Sequence, residues 1–558
     1  MPARTGGELV VASLLAQGAT HAFGVPGESY LAILDALHDV QERLRFIVCR
    51  HEGGAAYMGE AYGKLTGRPG VVLVTRGPGA SNAAIGIHVA AQDSTPLVVL
   101  VGQVGTDALD REAFQEIDYR RMYGSIAKWS AQVDRVERIP EYIAQAYRRA
   151  LAGRPGPVVL ALPEDVLAAR ADVADPPRVE ALPLAPAAQA MEAAHALLAG
   201  ARAPLCIVGG RRWDTAACAQ LRALAETSGL PVACAFRQQD LFDNRHPQYA
   251  GDVGIGINPK LATRVRDADV LLVIGERLGE MTTSGYTLLE VPQPKQQLIH
   301  VHAAADEIGR VYQPALGVVA TPREFLAALR LPSNARWRAG ATEGHADYEA
   351  WRQMRPAPGA VDPGACVRVL DDLLPDDAII ANGAGNYTVW LHRGFRHRQF
   401  GTQLAPYAGA MGYGVPAAVA AKLLHPERIV VSWNGDGCFQ MNGQEVATAV
   451  QYGLAIVFVV LDNGMYGTIR MHQERHYPGR VCGTELVNPD FAALARACGA
   501  LGETVRRTED FAPAFARAQA SGRPALLHVL VDPQALTPNA SLDALRAQGV
   551  AAQRSGAA

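Results

Sequence analysis

No run of about 18 consecutive apolar residues occurs anywhere in the 558-residue chain, so no membrane-crossing helix is expected. The opening MPARTGGELV has no apolar core behind a basic start and is not read as a signal peptide. Eight cysteines are scattered at 49, 206, 218, 234, 366, 438, 482 and 498, with no Cys-x-x-Cys pair and no His/Cys cluster at zinc spacing. Buried, reduced thiols in a cytoplasmic protein are the expectation. A surplus of one charge is missing too: 52 Lys and Arg face 55 Asp and Glu, for a net charge of −3. Without a basic patch or tail, neither nucleic acid nor a membrane surface is an expected partner.

What the chain does have is alternation. FIVC, GVVLVT, PLVVLVG, PVVLAL, PLCIVGG, DVLLVIG, QLIHVH, AIIANG, RIVVSW and AIVFVVL are short runs rich in Val, Ile and Leu, separated by Ala-rich stretches of helical length. Continuous apolar strands alternating with helices predict parallel sheets covered on both faces, an α/β protein. Segments 170–189 and 331–365 are rich in Pro, Ala or Gly and poor in strand signal, as domain boundaries are. Three doubly wound parallel-sheet domains are expected, over residues 1–170, 190–335 and 360–540. Segments 70–103 and 428–463 both read strand, Gly-x-Gly turn, helix, strand, which predicts that the outer two domains are copies of one design.

The segment GDGCFQMNGQEVATAVQYGLAIVFVVLDNGMYG (435–467) places Asp436 in a Gly-Asp-Gly turn after one strand and Asn463, 27 residues on, after the next. Ligands of open α/β sheets bind at the carboxyl ends of strands, where helix N-terminal amides receive phosphate oxygens. A carboxylate and an amide oxygen there suit a hard cation that also takes diphosphate oxygens, Mg²⁺ or Ca²⁺. Either residue alone reads as an ordinary turn residue; the pairing carries the prediction.

On these residues the chain resembles the thiamine diphosphate enzymes of the acetolactate synthase and 2-oxo acid decarboxylase superfamily, from GGELVVASLLAQGATHAFGVPGE to RPALLHVLVD. The resemblance implies an N-terminal pyrimidine-binding domain, a middle domain and a C-terminal diphosphate-binding domain. It implies thiamine diphosphate and Mg²⁺ as cofactors, with the metal on Asp436, Asn463 and the Met465 carbonyl. NGAGNY (382–387) matches a second diphosphate loop and points to Asn386 and Tyr387. Pro78, Asn82, Gly409, Gly435, Gly437, Cys438 and Tyr466 are implied around the cofactor. RHEGGAAYMGEAYGKLTG (50–67) matches the signature whose Glu, here Glu52, hydrogen-bonds N1′ of the aminopyrimidine and favours the imino tautomer that takes the thiazolium C2 proton. PYAGAMGYGVPAA (406–418) resembles the motif whose methionine, here Met411, wedges the cofactor rings into a V; glycines 409, 412 and 414 would let the backbone approach closely. In that family one site draws domains from two chains, which implies a homodimer or homotetramer.

The substrate end is mixed. Glu28 stands where decarboxylases carry Asp and acetolactate synthases usually carry Gly, and a carboxylate there could relay a proton. The paired histidines of pyruvate decarboxylases are absent after VGQV, and Thr75 replaces the histidine of benzoylformate decarboxylases. Gln103, EAFQE (112–116) and Lys128 match acetolactate synthases, so Phe114 and Gln115 would line the pocket and Lys128 would attract a carboxylate. His472 replaces the tryptophan that selects 2-oxobutyrate. GERLGEMTTSGY and IHVHAAADEIG lack the acidic residues of the family's flavin motifs, so FAD is expected to be absent. The expected activity is decarboxylation of a pyruvate-like 2-oxo acid with transfer of the resulting enamine to a second carbonyl. The alternative is a non-ligating decarboxylase that releases an aldehyde.

Overall fold

The Val/Ile/Leu runs pair with one another in parallel. In the computed structural model, which describes residues 2–555, they build three six-stranded sheets flanked by helices. The first holds β1 (His21–Gly24), β2 (Arg45–Val48), β3 (Gly70–Val74), β4 (Leu97–Gln103), β5 (Trp129–Gln132) and β6 (Pro157–Pro163), in the order β2-β1-β3-β4-β6-β5. The second holds β7 (Leu205–Val208), β8 (Val232–Cys234), β9 (Tyr249–Asp252), β10 (Val270–Ile274), β11 (Gln297–His302) and β12 (Leu316–Val319), in the order β9-β8-β7-β10-β11-β12. The third holds β13 (Ile379–Asn382), β14 (Gln403–Leu404), β15 (Val430–Gly435), β16 (Ile456–Asp462), β17 (Leu501–Val505) and β18 (Ala525–Leu530), in the order β14-β13-β15-β16-β18-β17. Counted within each sheet, the first and third share the order 2-1-3-4-6-5, while the second runs 3-2-1-4-5-6. The expected duplication of the outer sheets is thus present in their topology. One short antiparallel pair, Arg4–Thr5 with Arg170–Ala171, lies outside these sheets.

The strands are apolar at successive positions because both faces are covered. In β7, Leu205 and Ile207 enter one apolar cluster and Cys206 and Val208 the other, as the two-residue period of a strand requires. All seven residues of β4 are buried. All eight cysteines are free; Cys482 is exposed, which corrects the expectation of uniformly buried thiols. No helix among the described residues is long and apolar enough to cross a membrane.

Two compact units emerge from the packing. One takes in the chain through Leu182 together with Pro406–Pro426 and Asn442–Leu454; the other takes in Pro183–Ala405, Glu427–Met441 and the chain from Ala455 onward. In the first unit, α1 (Glu52–Thr66) lies against α2 (Gly77–Asp93) and against a helix over Gly414–Leu424. Small residues allow the approach: a Cβ on Gly86 of α2 would stand 2.3 Å from the Ala56 Cβ of α1. Gly67, at φ +66°, stops α1 in the left-handed conformation that glycine adopts without a Cβ clash.

Candidate active site

At the carboxyl edge of the first sheet, the chain leaves β2 and enters α1 at Glu52, with His51 as N-cap accepting from Gly53 N at 3.0 Å. Glu52 is 8% exposed. Its Oε2 accepts from Asn82 Nδ2 at 2.9 Å, while Oε1 has no hydrogen-bond partner among the described residues. Asn82 comes from α2, whose first turn carries Pro78. Gly79 lets that turn close in, since a Cβ there would stand 2.9 Å from Thr75 Cγ2 and 3.2 Å from Glu52 Oε1. Glu28 follows β1 on the same edge, in a turn fixed by Ser29 Oγ against Thr75 Oγ1 at 3.0 Å. Its carboxylate is exposed and makes no hydrogen bond among the described residues.

Gln115 also reaches this edge. Held at φ +66°, it accepts Gly77 N on its carbonyl at 2.9 Å, directly below the first turn of α2. The buried Arg76 binds the neighbouring Phe114 carbonyl at 3.3 Å and Glu164 at 2.5 Å, and Phe114 is 71% exposed. Gln103 spans its own loop, donating to the Ile117 carbonyl at 2.9 Å and accepting from Val104 N. Lys128 requires a correction. It precedes β5 at the amino edge, opposite Glu52, and its Nζ donates to the carbonyls of Ala152 and Arg154 at 2.6 and 2.7 Å. A sequence match located the motif but not the edge on which it falls.

The 406–413 loop belongs to the same unit. Tyr57 OH of α1 donates to the Met411 carbonyl at 3.1 Å. Asp93 accepts Tyr407 N and Ala408 N at 2.8 Å each, and is paired with Lys64 at 2.5 Å. Lys64 also meets Glu60 at 3.0 Å, and Glu60 accepts from Tyr413 OH and Thr95 Oγ1 at 2.6 Å each. The buried charges are all hydrogen-bonded, the condition for tolerating them. At Gly409 no atom of the chain lies within 4 Å of an added Cβ, and its φ of +68° calls for glycine. Sequence reasoning missed Glu60, Lys64 and Asp93, whose mutual contacts join distant segments of the chain.

In the second unit, Gly435-Asp436-Gly437 turns from β15 into α3 (Asp436–Asn442). A Cβ on Gly435 would stand 2.6 Å from Tyr387, and one on Gly437 2.6 Å from Tyr466. Tyr387 OH donates to the buried Cys438 Sγ at 3.0 Å. Asp436 Oδ1 accepts Gly437 N at 2.8 Å; Oδ2 accepts Gly464 N at 3.0 Å and Asn488 Nδ2 at 2.8 Å. Burial pushes the Asp436 carboxyl up to about 6, and the nearby Asp462 carboxylate adds to the shift. Burial alone would raise Asp462 as well, but hydrogen bonds from His528 (2.8 Å), Asn488 (2.7 Å) and Gly464 N (3.1 Å) outweigh it and hold that carboxyl low. Asn463 Oδ1 accepts Met465 N at 3.3 Å. Asn386 meets the helix over Gly467–His476: its N–H donates to Thr468 Oγ1 at 2.9 Å and its Oδ1 accepts from the same hydroxyl at 3.1 Å. The structure therefore brings Asp436, Gly464 and the Asn463–Met465 turn together. Asn488 and His528 were not foreseen, having no fixed spacing from the motif.

Three family matches cover most of the chain: the thiamine pyrophosphate enzyme N-terminal TPP binding domain over residues 4–122, the central domain over 191–329 and the C-terminal TPP binding domain over 383–529. The acetolactate synthase large subunit of Corynebacterium glutamicum is 32% identical over 549 residues, covering 94% of this chain and 87% of the relative. The acetolactate synthase isozyme 2 large subunit of Escherichia coli is 32% identical over 532 residues, covering 94% and 95%. The mitochondrial acetolactate synthase catalytic subunit of Aspergillus candidus is 29% identical over 561 residues, covering 95% and 81%. The chain belongs to the thiamine pyrophosphate enzyme family and is an acetolactate synthase-like, thiamine diphosphate-dependent enzyme.

Proposed function

We propose that the enzyme decarboxylates a pyruvate-like 2-oxo acid and joins the remaining fragment to a second carbonyl compound. The observation that carries this reading is the half-satisfied carboxylate of Glu52: one oxygen is anchored by Asn82 and the other is open at the carboxyl edge. Thiamine diphosphate, when bound, supplies the carbon nucleophile and electron sink for the chemistry. Glu52 would offer Oε1 as acceptor to the protonated pyrimidine nitrogen, with its carboxylate held by Asn82. Met411, on a loop anchored at its carbonyl by Tyr57, would offer an apolar side chain to the cofactor rings.

The donor set at Asp436 fits Mg²⁺. It offers a buried carboxylate, the Asn463 amide oxygen and the Met465 carbonyl, all hard oxygen ligands. No three His, Cys, Asp or Glu side chains among the described residues gather at one point, so diphosphate oxygens and water would complete the shell. A cation there offsets the burial that raises the Asp436 carboxyl. Asn386, Tyr387, Cys438 and Tyr466 line the same turn and would receive the diphosphate.

The reading leaves FAD out. Glu276 is buried at the switch point between β7 and β10, where a nucleotide crevice would lie. A Cβ on Gly209 would stand 2.5 Å from Glu276 Oε2, and Thr282 Oγ1 donates to Oε1 at 3.1 Å. Exposed apolar side chains on loops, Phe114 and Val487 among them, support burial against a second copy of the chain. The unpartnered Glu28 supports a second reading, in which its proton release favours an aldehyde product. Incubating the purified protein with thiamine diphosphate, Mg²⁺ and a panel of 2-oxo acids, then separating acyloin or acetohydroxy acid from aldehyde, distinguishes the two.

A further inference from the structure

We propose that Glu445 is a positioning residue for Glu52, acting through the two amides that immediately precede it. The proposal rests on the reading of Glu52 given above. Glu445 opens the helix α4 (Glu445–Gln451), nearly four hundred residues away in sequence, and its side chain is fully buried. Its Oε1 accepts the backbone N–H groups of Arg50 and His51 at 3.0 Å each; Oε2 accepts Arg50 N at 3.2 Å and Thr448 Oγ1 at 2.6 Å. No cation among the described residues is paired with it: the Arg50 guanidinium turns instead to Gln451 Oε1 at 2.6 Å and to the Val48 carbonyl at 3.4 Å.

The contact has a structural logic. β2 is the edge strand of its sheet, so alternate N–H and C=O groups along its outer side have no strand partner. Tyr452, just past α4, fills that role for two of them: its hydroxyl accepts Val48 N at 2.8 Å and donates to the Phe46 carbonyl at 3.4 Å. Glu445 takes over two residues later, at Arg50 N, and continues to His51 N. The whole β2–α1 junction is thereby held from one side. Asn82 holds the Glu52 carboxylate from the other.

A tyrosine hydroxyl or water could satisfy the same amides, whereas a buried carboxylate without a cation is costly. What it adds is direction. Two N–H groups converging on one oxygen fix the turn from which the Glu52 side chain springs. Gly54 leaves the space: a Cβ there would stand 2.5 Å from Glu445 Oε1. Burial raises the Glu445 carboxyl, and the hydrogen bonds from Thr448 and the two amides counter that. Because reacting groups must be held within a fraction of an ångström, a loosened junction should cost rate before it costs cofactor affinity.

The test compares wild type with Glu445→Ala, Glu445→Gln, Thr448→Val and Glu52→Gln. In Glu445→Ala, cofactor C2 deuterium exchange at saturating thiamine diphosphate and Mg²⁺ should fall roughly tenfold, with cofactor affinity within about threefold of wild type. In the same variant without cofactor, the amides of Arg50 and His51 should exchange roughly tenfold faster by mass spectrometry. Glu445→Gln keeps an oxygen at Oε1 and should restore most of both losses. Should Glu445→Ala not fold, Thr448→Val, which removes only the Oε2 donor, is expected to slow C2 exchange about threefold. Wild-type C2 exchange in the folded Ala variant despite lost amide protection, or in Thr448→Val if Ala does not fold, would overturn the proposal. Wild-type exchange in Glu52→Gln would instead overturn the reading of Glu52 itself.

Discussion

Asn82 donates its side-chain amide to one oxygen of Glu52 at 2.9 Å and leaves the other oxygen open. The two residues leave the sheet from different strands, so the bond ties α2 to the first turn of α1. A hydrogen bond to a charged group contributes about 1.5–3 kcal/mol. Asn82→Ala should therefore lower kcat by about tenfold or more, with KM moving less. Equal losses in binding and turnover would point to a general unfolding of the edge.

Glu52→Gln should still bind thiamine diphosphate. Its neutral amide cannot manage the proton as the carboxylate does, so C2 exchange should slow by roughly 10²–10⁴. Exchange measured by NMR after an acid quench reads this directly.

At the other motif, Asp436→Ala should abolish Mg²⁺-dependent cofactor binding by calorimetry. Asn488→Ala makes a finer test. Its amide bridges Asp436 Oδ2 and Asp462 Oδ1 at 2.8 and 2.7 Å, so its removal leaves the two neighbouring carboxylates bridged by Gly464 N alone. The affinity for Mg²⁺ should fall by about 10–100-fold while the fold persists.

Glu28→Gln should leave cofactor affinity unchanged. If Glu28 delivers a proton, the variant should turn over more slowly and shift its products from aldehyde toward carboligation, because a second carbonyl then competes better. An unchanged product ratio and rate on pyruvate would make Glu28 a bystander on an exposed turn.

Stability has its own probe. Glu474 is buried against Arg470 at 3.0 Å, the Gly479 amide at 2.9 Å and Arg546 at 2.8 Å, the last from the helix Leu542–Arg554. The Arg546 hydrogen bond leads in pulling the Glu474 carboxyl down to about 2. A carboxyl lowered on folding stabilises fully above its unfolded value near 4.3, and that contribution is lost as pH falls toward about 2. Glu474→Gln should cost roughly 3 kcal/mol at neutral pH and flatten the acid limb of the melting curve between pH 4 and 2. An unaltered acid limb would contradict the assignment.

Much of this was legible in the order of residues. Runs such as GVVLV and IVFVVLD are apolar on both faces and became central parallel strands; the Gly-Asp-Gly and Asp-Asn-Gly turns meet through Gly464 N and Asp436 Oδ2. Contacts between distant segments were not legible. Glu445 and Asn488 read as a helix-start acid and a loop amide, and only folding shows which backbone or carboxylate each one meets. Lys128 failed for the reverse reason, since a local match says nothing of which edge a loop occupies.

The shared strand order of the outer sheets also lets the two be compared strand for strand. In each, the loops after the second and third strands carry residues of the candidate site. In the first sheet the acid, Glu52, follows strand two, and strand three leads into the uncharged Gly77-Pro78-Gly79 turn. In the third, strand two leads to the apolar Met411, and the acid, Asp436, follows strand three. The two outer sheets thus set their buried acids after different strands of the same order, Glu52 after the second and Asp436 after the third.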